Sequence, residues 1–397
     1  MSTWDTSTLG ELCEISIGKT PPRAERHYWG GDRPWLSIAD MNQGRDLTRT
    51  KECVTQSATE GPSGRLVTPD TLLLSFKLSV GKIGFARIAM YTNEAIAALP
   101  IKDKSRVDSG YLYWALKRAD LVRDADDAAM GKNLNMKKLA SIELPLPPLP
   151  EQKRIGAVLD RLEDLRAKRR RAIALLDDLT QSIFLDMFGE RSAVEQTVTL
   201  DTILEKKLSN GISPSSQGTV ESKVLTLSAV TRGEFDSAAW KVGRFIQDPT
   251  DAYAVTENLF LVCRGNGNRE LVGRGVFPES DMIDTAYPDT VLAAPIRPDL
   301  ITREYLTHVW ASRAVRSQIE SAARTTNGTY KVNQKTMGAV CFRLPSLDDQ
   351  RAFGRKVSEI RAQRRAHACH LAALDELFTS LQHRAFSGTL WDHEAAA

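Results

Sequence analysis

Several short segments carry residue types that enzymes use, so we first ask whether any of them forms a complete catalytic motif. Gly18-Lys19-Thr20 matches the end of a phosphate-binding loop, in which backbone amides surround a phosphate. That loop needs a glycine five residues before Gly18, but Cys13 occupies the position. The segment 264–268 is glycine-rich, yet it lacks the third glycine of a dinucleotide-binding fingerprint. Neither segment therefore predicts a nucleotide site.

Motifs for metal binding and DNA cleavage are also incomplete. On a helix, His367 and His370 share a face while Cys369 points elsewhere, and no further ligands cluster nearby. Glu221-Ser222-Lys223 resembles half of a metal-dependent nuclease motif, without the preceding Pro-Asp pair. The Asp/Asn-Pro-Pro-Tyr/Phe tetrapeptide of amino-methyltransferases does not occur. We therefore expect no catalytic residues, metal site or cofactor in this chain, and expect that it is not an enzyme by itself.

Cations beside glycine-rich turns favour the binding of double-stranded DNA instead. Glycine lets a backbone approach a ligand closely, while Arg, Lys and Asn supply phosphate contacts and hydrogen bonds to base edges. The candidate DNA-binding residues of the first half are Lys19, Arg23, Lys77, Lys82, Arg87, Lys132, Asn133, Asn135 and Lys137. Those of the second half are Arg264, Asn266, Asn268, Arg269, Arg274, Tyr330, Lys331, Asn333 and Lys335. One such loop is usually a solvated turn, but two kinds of loop recur in both halves. Asn266 and Asn268 either pair with adenine edges or form turns.

The two halves of the chain form an internal repeat with a displacement of 198 residues. Matching pairs include Asn135 with Asn333, Pro147 with Pro345, Gln152 with Gln350, Asp177 with Asp375 and Phe188 with Phe386. A constant displacement indicates a duplicated structural unit. In the first copy, apolar runs predict strands at 71–76, 84–89 and 95–101, and a helix at 110–120. Each globular part is therefore predicted to be mixed α/β.

A long helix follows each globular part. Residues 144–150 cannot be helical because their prolines remove amide donors and restrain the preceding residues. Glu151 then opens a helix, with its charge at the positive end of the helix dipole. A seven-residue period predicts a seam between two helices, made of Ile155, Leu162, Leu176, Ile183, Phe353, Ile360, Leu374 and Leu381. The companion row is predicted at Val158, Leu165, Ala172, Leu179 and Leu377. The alternative is that each helix packs only on its own domain.

Composition limits the remaining classes. Lys and Arg number 53 against 50 Asp and Glu, a net charge of +3, which allows a nucleic-acid partner without requiring one. No apolar run approaches the length of about 20 residues that spans a bilayer. The five cysteines are scattered and none forms a CxxC pair. The N-terminus lacks a signal-peptide pattern. We therefore expect a cytoplasmic protein with free thiols and no membrane partner.

Taken in order, these residues resemble the specificity (S) subunit of type I restriction-modification enzymes. The segments that carry the resemblance are Trp4 with Leu9-Gly10, Gly18-Lys19-Thr20-Pro21, Tyr28-Trp29, Pro34-Trp35, Gly81-Lys82-Ile83-Gly84 with Asn93, and 146–152 with Ile155. The Pro-Leu-Pro-Glu-Gln start of a long helix is the most specific of them. The second half departs from the pattern: residues 344–350 keep only Leu, Pro and Gln, and 271–275 replace the Gly-Lys-Ile-Gly loop.

The resemblance implies an α/β (α+β) fold with a pseudo-twofold internal repeat. Two target-recognition domains, 1–149 and 190–347, would be joined by two conserved antiparallel coiled-coil spacer helices. These are 150–189 and, with a C-terminal tail, 348–397. Each domain would read one half of an asymmetric bipartite DNA site, and the helices would set the unread gap.

The resemblance also implies partners. Two modification subunits would supply S-adenosylmethionine-dependent methylation, and restriction subunits would supply ATP- and Mg-dependent translocation and cleavage, as part of phage defence. Two alternatives remain open. The first is a stand-alone metal-dependent nuclease or phosphoryl-transfer enzyme using Glu221, Lys223 or Gly18-Lys19-Thr20. The second is a specificity subunit of another methylation-based defence system.

Overall fold

The structure is a computed structural model that describes residues 4–60, 64–121, 126–128, 131–189, 196–326 and 328–390. The chain divides into two compact units, one of 1–170 with 369–397 and the other of 171–368. The division points, after Arg170 and Ala368, are 198 residues apart, which is the displacement of the repeat. Each unit therefore contains one globular part, the first half of its own long helix and the second half of the other.

The first globular part has twelve strands and four short helices among the described residues, followed by the first long helix. The strands are β1 Thr6–Thr8, β2 Ser16–Ile17, β3 Trp29–Leu36, β4 Asp46–Leu47, β5 Glu52–Val54, β6 Leu72–Ser75, β7 Ile83–Ala86, β8 Tyr91–Thr92, β9 Ile96–Leu99, β10 Asp126–Ala128, β11 Gly131–Asn133 and β12 Glu143–Pro145. The helices are α1 Leu9–Leu12, α2 Gln56–Thr59, α3 Ser109–Arg118, α4 Met136–Ala140 and the long α5 Leu149–Phe188.

A five-stranded sheet of order β2-β9-β6-β7-β4 forms the centre of this part, beside a three-stranded sheet β5-β3-β8. The strands and the helix predicted from apolar runs are confirmed as β6, β7, β9 and α3. Asp108 caps α3 by accepting a hydrogen bond from the backbone N–H of Tyr111. One buried cluster joins the sheet to α3 and both long helices, with members Leu72, Phe85, Leu99, Tyr111, Trp114, Ile155, Leu159 and Phe386.

The second globular part has thirteen strands and five short helices among the described residues, followed by the second long helix. The strands are β13 Gln196–Thr199, β14 Ser209–Asn210, β15 Val220–Leu225, β16 Trp240–Phe245, β17 Ala254–Val255, β18 Leu259–Cys263, β19 Gly265–Asn266, β20 Gly275–Val276, β21 Met282–Ala286, β22 Val291–Pro295, β23 Arg324–Thr326, β24 Thr329–Lys331 and β25 Cys341–Leu344. The helices are α6 Ser228–Thr231, α7 Thr250–Tyr253, α8 Arg303–Ala311, α9 Arg313–Ala322, α10 Gln334–Gly338 and the long α11 Leu347–Ser387.

Two four-stranded sheets, β14-β22-β18-β20 and β16-β15-β21-β17, organise this part. In both copies an antiparallel ladder ties the start of the globular part to its end, β1 to β12 and β13 to β25. A second buried cluster contains Phe260, Leu292, Tyr305 and Trp310 from the globular part and Phe353, Val357, Phe184 and Phe188 from the long helices. The mixed α/β architecture with an internal repeat is thereby confirmed.

Within each unit the two long helices run antiparallel. In the first unit the guanidinium Nε of Arg166 lies 2.5 Å from a carboxylate oxygen of Asp375. In the second unit Nε of Arg364 lies 2.9 Å from a carboxylate oxygen of Asp177. These two ion pairs are related by the 198-residue displacement. The four-segment division at 149, 189 and 347 stays a prediction, with 190–195 and 391–397 outside the described residues.

The burial of the helices corrects the predicted companion row. Of the seam positions, Ile155, Leu162, Phe353 and Ile360 are buried, whereas Leu176, Ile183, Leu374 and Leu381 are half-buried. The companion row is wrong at Leu179 and Leu377, each of which is 45% exposed. The buried neighbours of the seam lie four residues after it rather than three, at Leu159, Val357 and Ala385. Residues at i+3 and i+4 lie near the same helix face, so spacing alone does not separate them.

The difference in burial between Leu159 and Leu179 predicts that substitutions of these two leucines of α5 affect stability unequally. Leu159→Ala should lower the free energy of unfolding by about 2–5 kcal/mol, because it removes a fully packed side chain and leaves a cavity. Leu179→Ala, with 45% of the residue exposed, should cost less than about 1 kcal/mol. Urea denaturation of both variants measures the difference. Equal losses would show that the companion row was assigned correctly from the sequence.

Candidate nucleic-acid interface

The predicted basic loops come together in the second unit. Strand β19 pairs with β24, placing Gly265 opposite Lys331 and Asn266 opposite Tyr330. The backbone N–H of Val332 also donates to the carbonyl of Arg264 at 2.9 Å. Two loops about 65 residues apart in sequence thus form one surface, a three-stranded sheet β19-β24-β23.

The first unit shows the same juxtaposition. The N–H of Leu134, which is 198 residues before Val332, donates to the carbonyl of Phe76 at 2.8 Å. This bond holds the end of the β10–β11 hairpin against the β6–β7 loop that carries Lys77 and Lys82. Of Lys132 and Asn133, in β11, only the backbone is described. We call the paired loops of each unit its basic loop pair: 76–82 with 131–138, and 264–274 with 328–335.

Several cations of these loops are oriented by backbone carbonyls. The guanidinium groups of Arg264, Arg269 and Arg274 donate to the carbonyls of Asp289, Glu320 and Glu270 at 3.1, 2.7 and 3.2 Å, respectively. In the first unit Nζ of Lys82 donates to the carbonyl of Ile38 at 3.2 Å, and Nζ of Lys77 lies 5.2 Å from the ring centre of Phe76. A carbonyl partner fixes a cation without cancelling its charge.

Arg23 and Arg87 have a different environment, because carboxylates hold them. Arg23 makes two hydrogen bonds to the carboxylate of Glu52, at 2.5 and 3.0 Å, and lies 3.9 Å from the ring centre of Trp29. The hydrogen bonds that Arg23 donates to Glu52 raise the pKa of Arg23. Arg87 donates to Asp46 at 2.6 Å and also to Asp70. Both residues are therefore paired within the protein.

The predicted asparagines shape the backbone of the loops. Oδ1 of Asn135 accepts the N–H of Lys138 at 2.9 Å as the N-cap of α4, and Oδ1 of Asn333 accepts the N–H of Thr336 at 2.8 Å as the N-cap of α10. Asn266 and Asn268 form turns, each accepting an N–H two residues later at 2.9 Å. These bonds use the carbonyl oxygen of each amide.

The remaining candidates lie at the edge of the loop pairs. Lys137, Lys331 and Lys335 are exposed, and Tyr330 is half-buried with the guanidinium of Arg269 6.0 Å from its ring centre. Asn327 lies outside the described residues. Sequence reasoning missed Arg324, which pairs with Lys331 across β23 and β24. The signal available was a basic residue just before the turn that contains Gly328.

The motifs considered for enzymes have structural partners. The amides of Gly18 and Lys19 donate to the carbonyls of Ile96 and Thr92, so they are not presented to a phosphate. Glu221 pairs with Arg244 at 3.2 Å, and Lys223 pairs with Asp284 at 2.6 Å, a hydrogen bond that lowers the pKa of Asp284. Within the described ranges, no group of three His, Cys, Asp or Glu residues is arranged to hold a metal. No helix in the part of the chain that the structure describes is long and apolar enough to cross a membrane.

Comparisons with known proteins found a matching family and similar chains whose descriptions refer to specificity. Residues 1–175 match the family described as Type I restriction modification DNA specificity domain. The MjaIX specificity subunit of Methanocaldococcus jannaschii is 26% identical over 190 residues, covering 47% of this chain and 44% of that protein. The EcoKI specificity subunit of Escherichia coli K12 is 23% identical over 354 residues, covering 82% and 75%. The chain thus spans less than half the length of the first of these relatives.

Two solved structures share the fold. The S subunit of a type I restriction-modification system from M. genitalium superposes with a TM-score of 0.61 at 13% identity, covering 97% of this chain and 96% of that chain. A chain from a structure that describes complex assembly and conformational transition of the type I R-M system gives 0.58 at 15% identity, covering 98% of both chains. At these identities the likeness concerns the fold alone.

The capping bonds predict that the side-chain oxygen of Asn333 stabilises the start of α10. Asn333→Ala should destabilise the protein by about 1 kcal/mol, because the first turn of α10 loses its side-chain acceptor. Asn333→Asp keeps that oxygen and should retain most of the stability, and Asn135→Asp offers the same comparison in the first unit. Thermal denaturation measures the differences. Equal destabilisation by Ala and Asp would mean that the side chain is not acting as a cap.

Proposed function

We propose that this chain, whose residues 1–175 match the Type I restriction modification DNA specificity domain, is a specificity subunit that directs adenine methylation to an asymmetric bipartite DNA site. Each unit would read one half-site through its basic loop pair. The observation that carries the proposal is that both units join two basic loops through equivalent backbone bonds, those of Leu134 and Val332. Because the side chains differ between the loop pairs, the two half-sites are expected to differ as well.

The chemistry would be supplied by partners. In this proposal, modification subunits bind S-adenosylmethionine and methylate, restriction subunits hydrolyse ATP, and this chain contributes recognition only. The ion-paired state of Glu221 and Lys223 supports that division over a stand-alone nuclease, because both side chains are engaged with opposite charges.

A face of α5 supports docking of the modification subunits. Leu175 and Leu179, one helical turn apart on the same face, are 59% and 45% exposed. Large apolar side chains that are exposed together on one helix mark surfaces that bind another protein.

The first test is the methylation pattern that depends on this chain. With its modification subunits, the chain should produce adenine methylation at two short, unlike sequences separated by a gap of fixed length. Long-read sequencing of methylated DNA with and without the gene measures this. A continuous or palindromic motif would contradict the proposal.

The second test concerns the gap. Four residues inserted after Arg170 and after Ala368 add about one turn, or about 6 Å, to each long helix. The gap should then widen by about one or two base pairs, at about 3.4 Å each, while both half-sites stay the same. The same insertion between Ser216 and Gln217, which lie in an exposed turn, is the control and should leave the gap unchanged. An unchanged gap with lengthened helices would show that the helices are not the spacer.

A third test compares an exposed cation of a basic loop pair with an arginine that is ion-paired to carboxylates. Lys335 is exposed, so Lys335→Ala should weaken DNA binding uniformly and reduce the salt-dependence slope by about one. Arg87→Gln should leave the slope nearly unchanged, because Asp46 and Asp70 already neutralise the guanidinium. Binding by the assembled complex at several salt concentrations measures both. A larger change for Arg87 than for Lys335 would reverse the assignment.

A further inference from the structure

Each long helix begins with a buried glutamine at its junction with the globular part. Gln152 in α5 and Gln350 in α11 are both 0% exposed and are related by the 198-residue displacement. A primary amide has two donors and a carbonyl acceptor, and burial requires that these be satisfied within the protein. The partners of the two side chains therefore show what each one holds together.

In the first unit, Gln152 makes three hydrogen bonds to the backbone of two segments, 106–108 and the proline segment. Its Oε1 accepts the N–H of Asp108 at 2.9 Å. Its Nε2 donates to the carbonyls of Arg106 and Pro147 at 2.9 and 2.8 Å. Asp108 is the N-cap of α3, and Pro147 belongs to the proline segment before α5. One side chain thus ties the start of α5 to the start of α3.

Gln350 makes the same three bonds in the second unit. Its Oε1 accepts the N–H of Thr302 at 2.9 Å, and its Nε2 donates to the carbonyls of Leu300 and Pro345 at 3.1 and 3.0 Å. Thr302 is the N-cap of α8. The partner residues differ between the units: Thr302 takes the place of Asp108, and Leu300 takes the place of Arg106. The bonds recur nevertheless, because they are made to backbone groups.

A tyrosine hydroxyl forms a further hydrogen bond at each junction. The hydroxyl of Tyr111 donates to the carbonyl of Pro145 at 2.7 Å, and that of Tyr305 donates to the carbonyl of Arg343 at 2.6 Å. At Gly156, about two turns into α5, a Cβ atom would lie only 3.2 Å from the backbone nitrogen of Tyr111. The first turns of α5 therefore lie directly against α3.

We propose that Gln152 and Gln350 are positioning residues that fix the direction in which each long helix leaves its recognition domain. They would thereby set how strictly the complex measures the gap between the half-sites. Three bonds to two backbone segments restrict rotation at the junction, whereas an apolar side chain of similar volume would fill the space without directional constraint. The inference rests on the proposed function, and neither glutamine needs to touch DNA.

The test compares methylation by the assembled complex on DNA with the native gap and with gaps one base pair shorter and longer. For Gln152→Leu and Gln350→Leu, the ratio of methylation at altered gaps to that at the native gap should rise about fivefold or more, because each loses directional bonds. The bases preferred in each half-site should stay the same. Gln363→Leu, which changes an exposed glutamine of α11, is the matched control and should leave the ratio unchanged.

The ratio distinguishes positioning from a structural role, because loss of folded complex lowers methylation at every gap in the same proportion. If the leucine variants fail to assemble, Tyr111→Phe and Tyr305→Phe keep the rings, remove one bond from each junction and should raise the ratio in the same direction. An unchanged ratio in active variants would overturn the inference. A wild-type complex without bipartite specificity would overturn the proposed function instead.

Discussion

Neither hydrophobic core is completed by residues of its own repeat. In the first unit the ring of Phe386, from the end of α11, lies 5.5 Å from that of Tyr111. In the second, the ring of Phe188, from the end of α5, lies 4.9 Å from that of Tyr305. Apolar burial is the main favourable term in folding, and a fully buried aromatic side chain contributes about 1.5–3 kcal/mol. Each long helix is therefore held at its start by its own globular part and at its end by the other repeat's core, so it cannot shift by one turn without exposing apolar surface.

Charge selects the direction of helix pairing, although it contributes little to holding the helices together. Partly exposed ion pairs such as Arg166 with Asp375 stabilise a protein by only about 0–1 kcal/mol. If equivalent positions met in a parallel arrangement, however, Arg166 would face Arg364, and like charges would repel. The antiparallel arrangement instead gives each arginine an aspartate partner. Because the chain is an internal repeat, the same two residue types form the second pair, Arg364 with Asp177. Aromatic burial thus provides most of the stability, and the ion pairs add a modest preference for the antiparallel orientation.

The sequence predicted those parts of the structure that depend on local periodicity. Apolar runs located β6, β7, β9 and α3, but the predicted start of α5 at Glu151 is wrong by two residues. The helix begins at Leu149 and has Pro150 in its first turn, where a proline is tolerated because the amides of that turn have no partner within the helix. The companion row failed at Leu179, because two spacings three and four residues apart describe nearly the same helix face. The bonds of Gln152 were hidden for another reason: Asp108 and Arg106 are 44 and 46 residues away, and only the folded chain brings them together. For the candidate interface, composition identified each basic loop but not the pairing of β19 with β24.

The candidate DNA-binding cations, which could not be ranked from the sequence, differ in the groups that hold them in the structure. A guanidinium held by carboxylates, such as that of Arg87, presents little net charge to a ligand. One held by a carbonyl, such as that of Arg264, keeps its charge and is already oriented, so less side-chain entropy remains to be lost on binding. Lys82 has the same kind of carbonyl partner in the first unit. Of these candidate residues, those with carbonyl partners lie in the loop pairs, whereas the two carboxylate-paired arginines, Arg23 and Arg87, lie outside them. Among these candidates, the division favours the residues of the loop pairs as the ones that contact an anionic backbone.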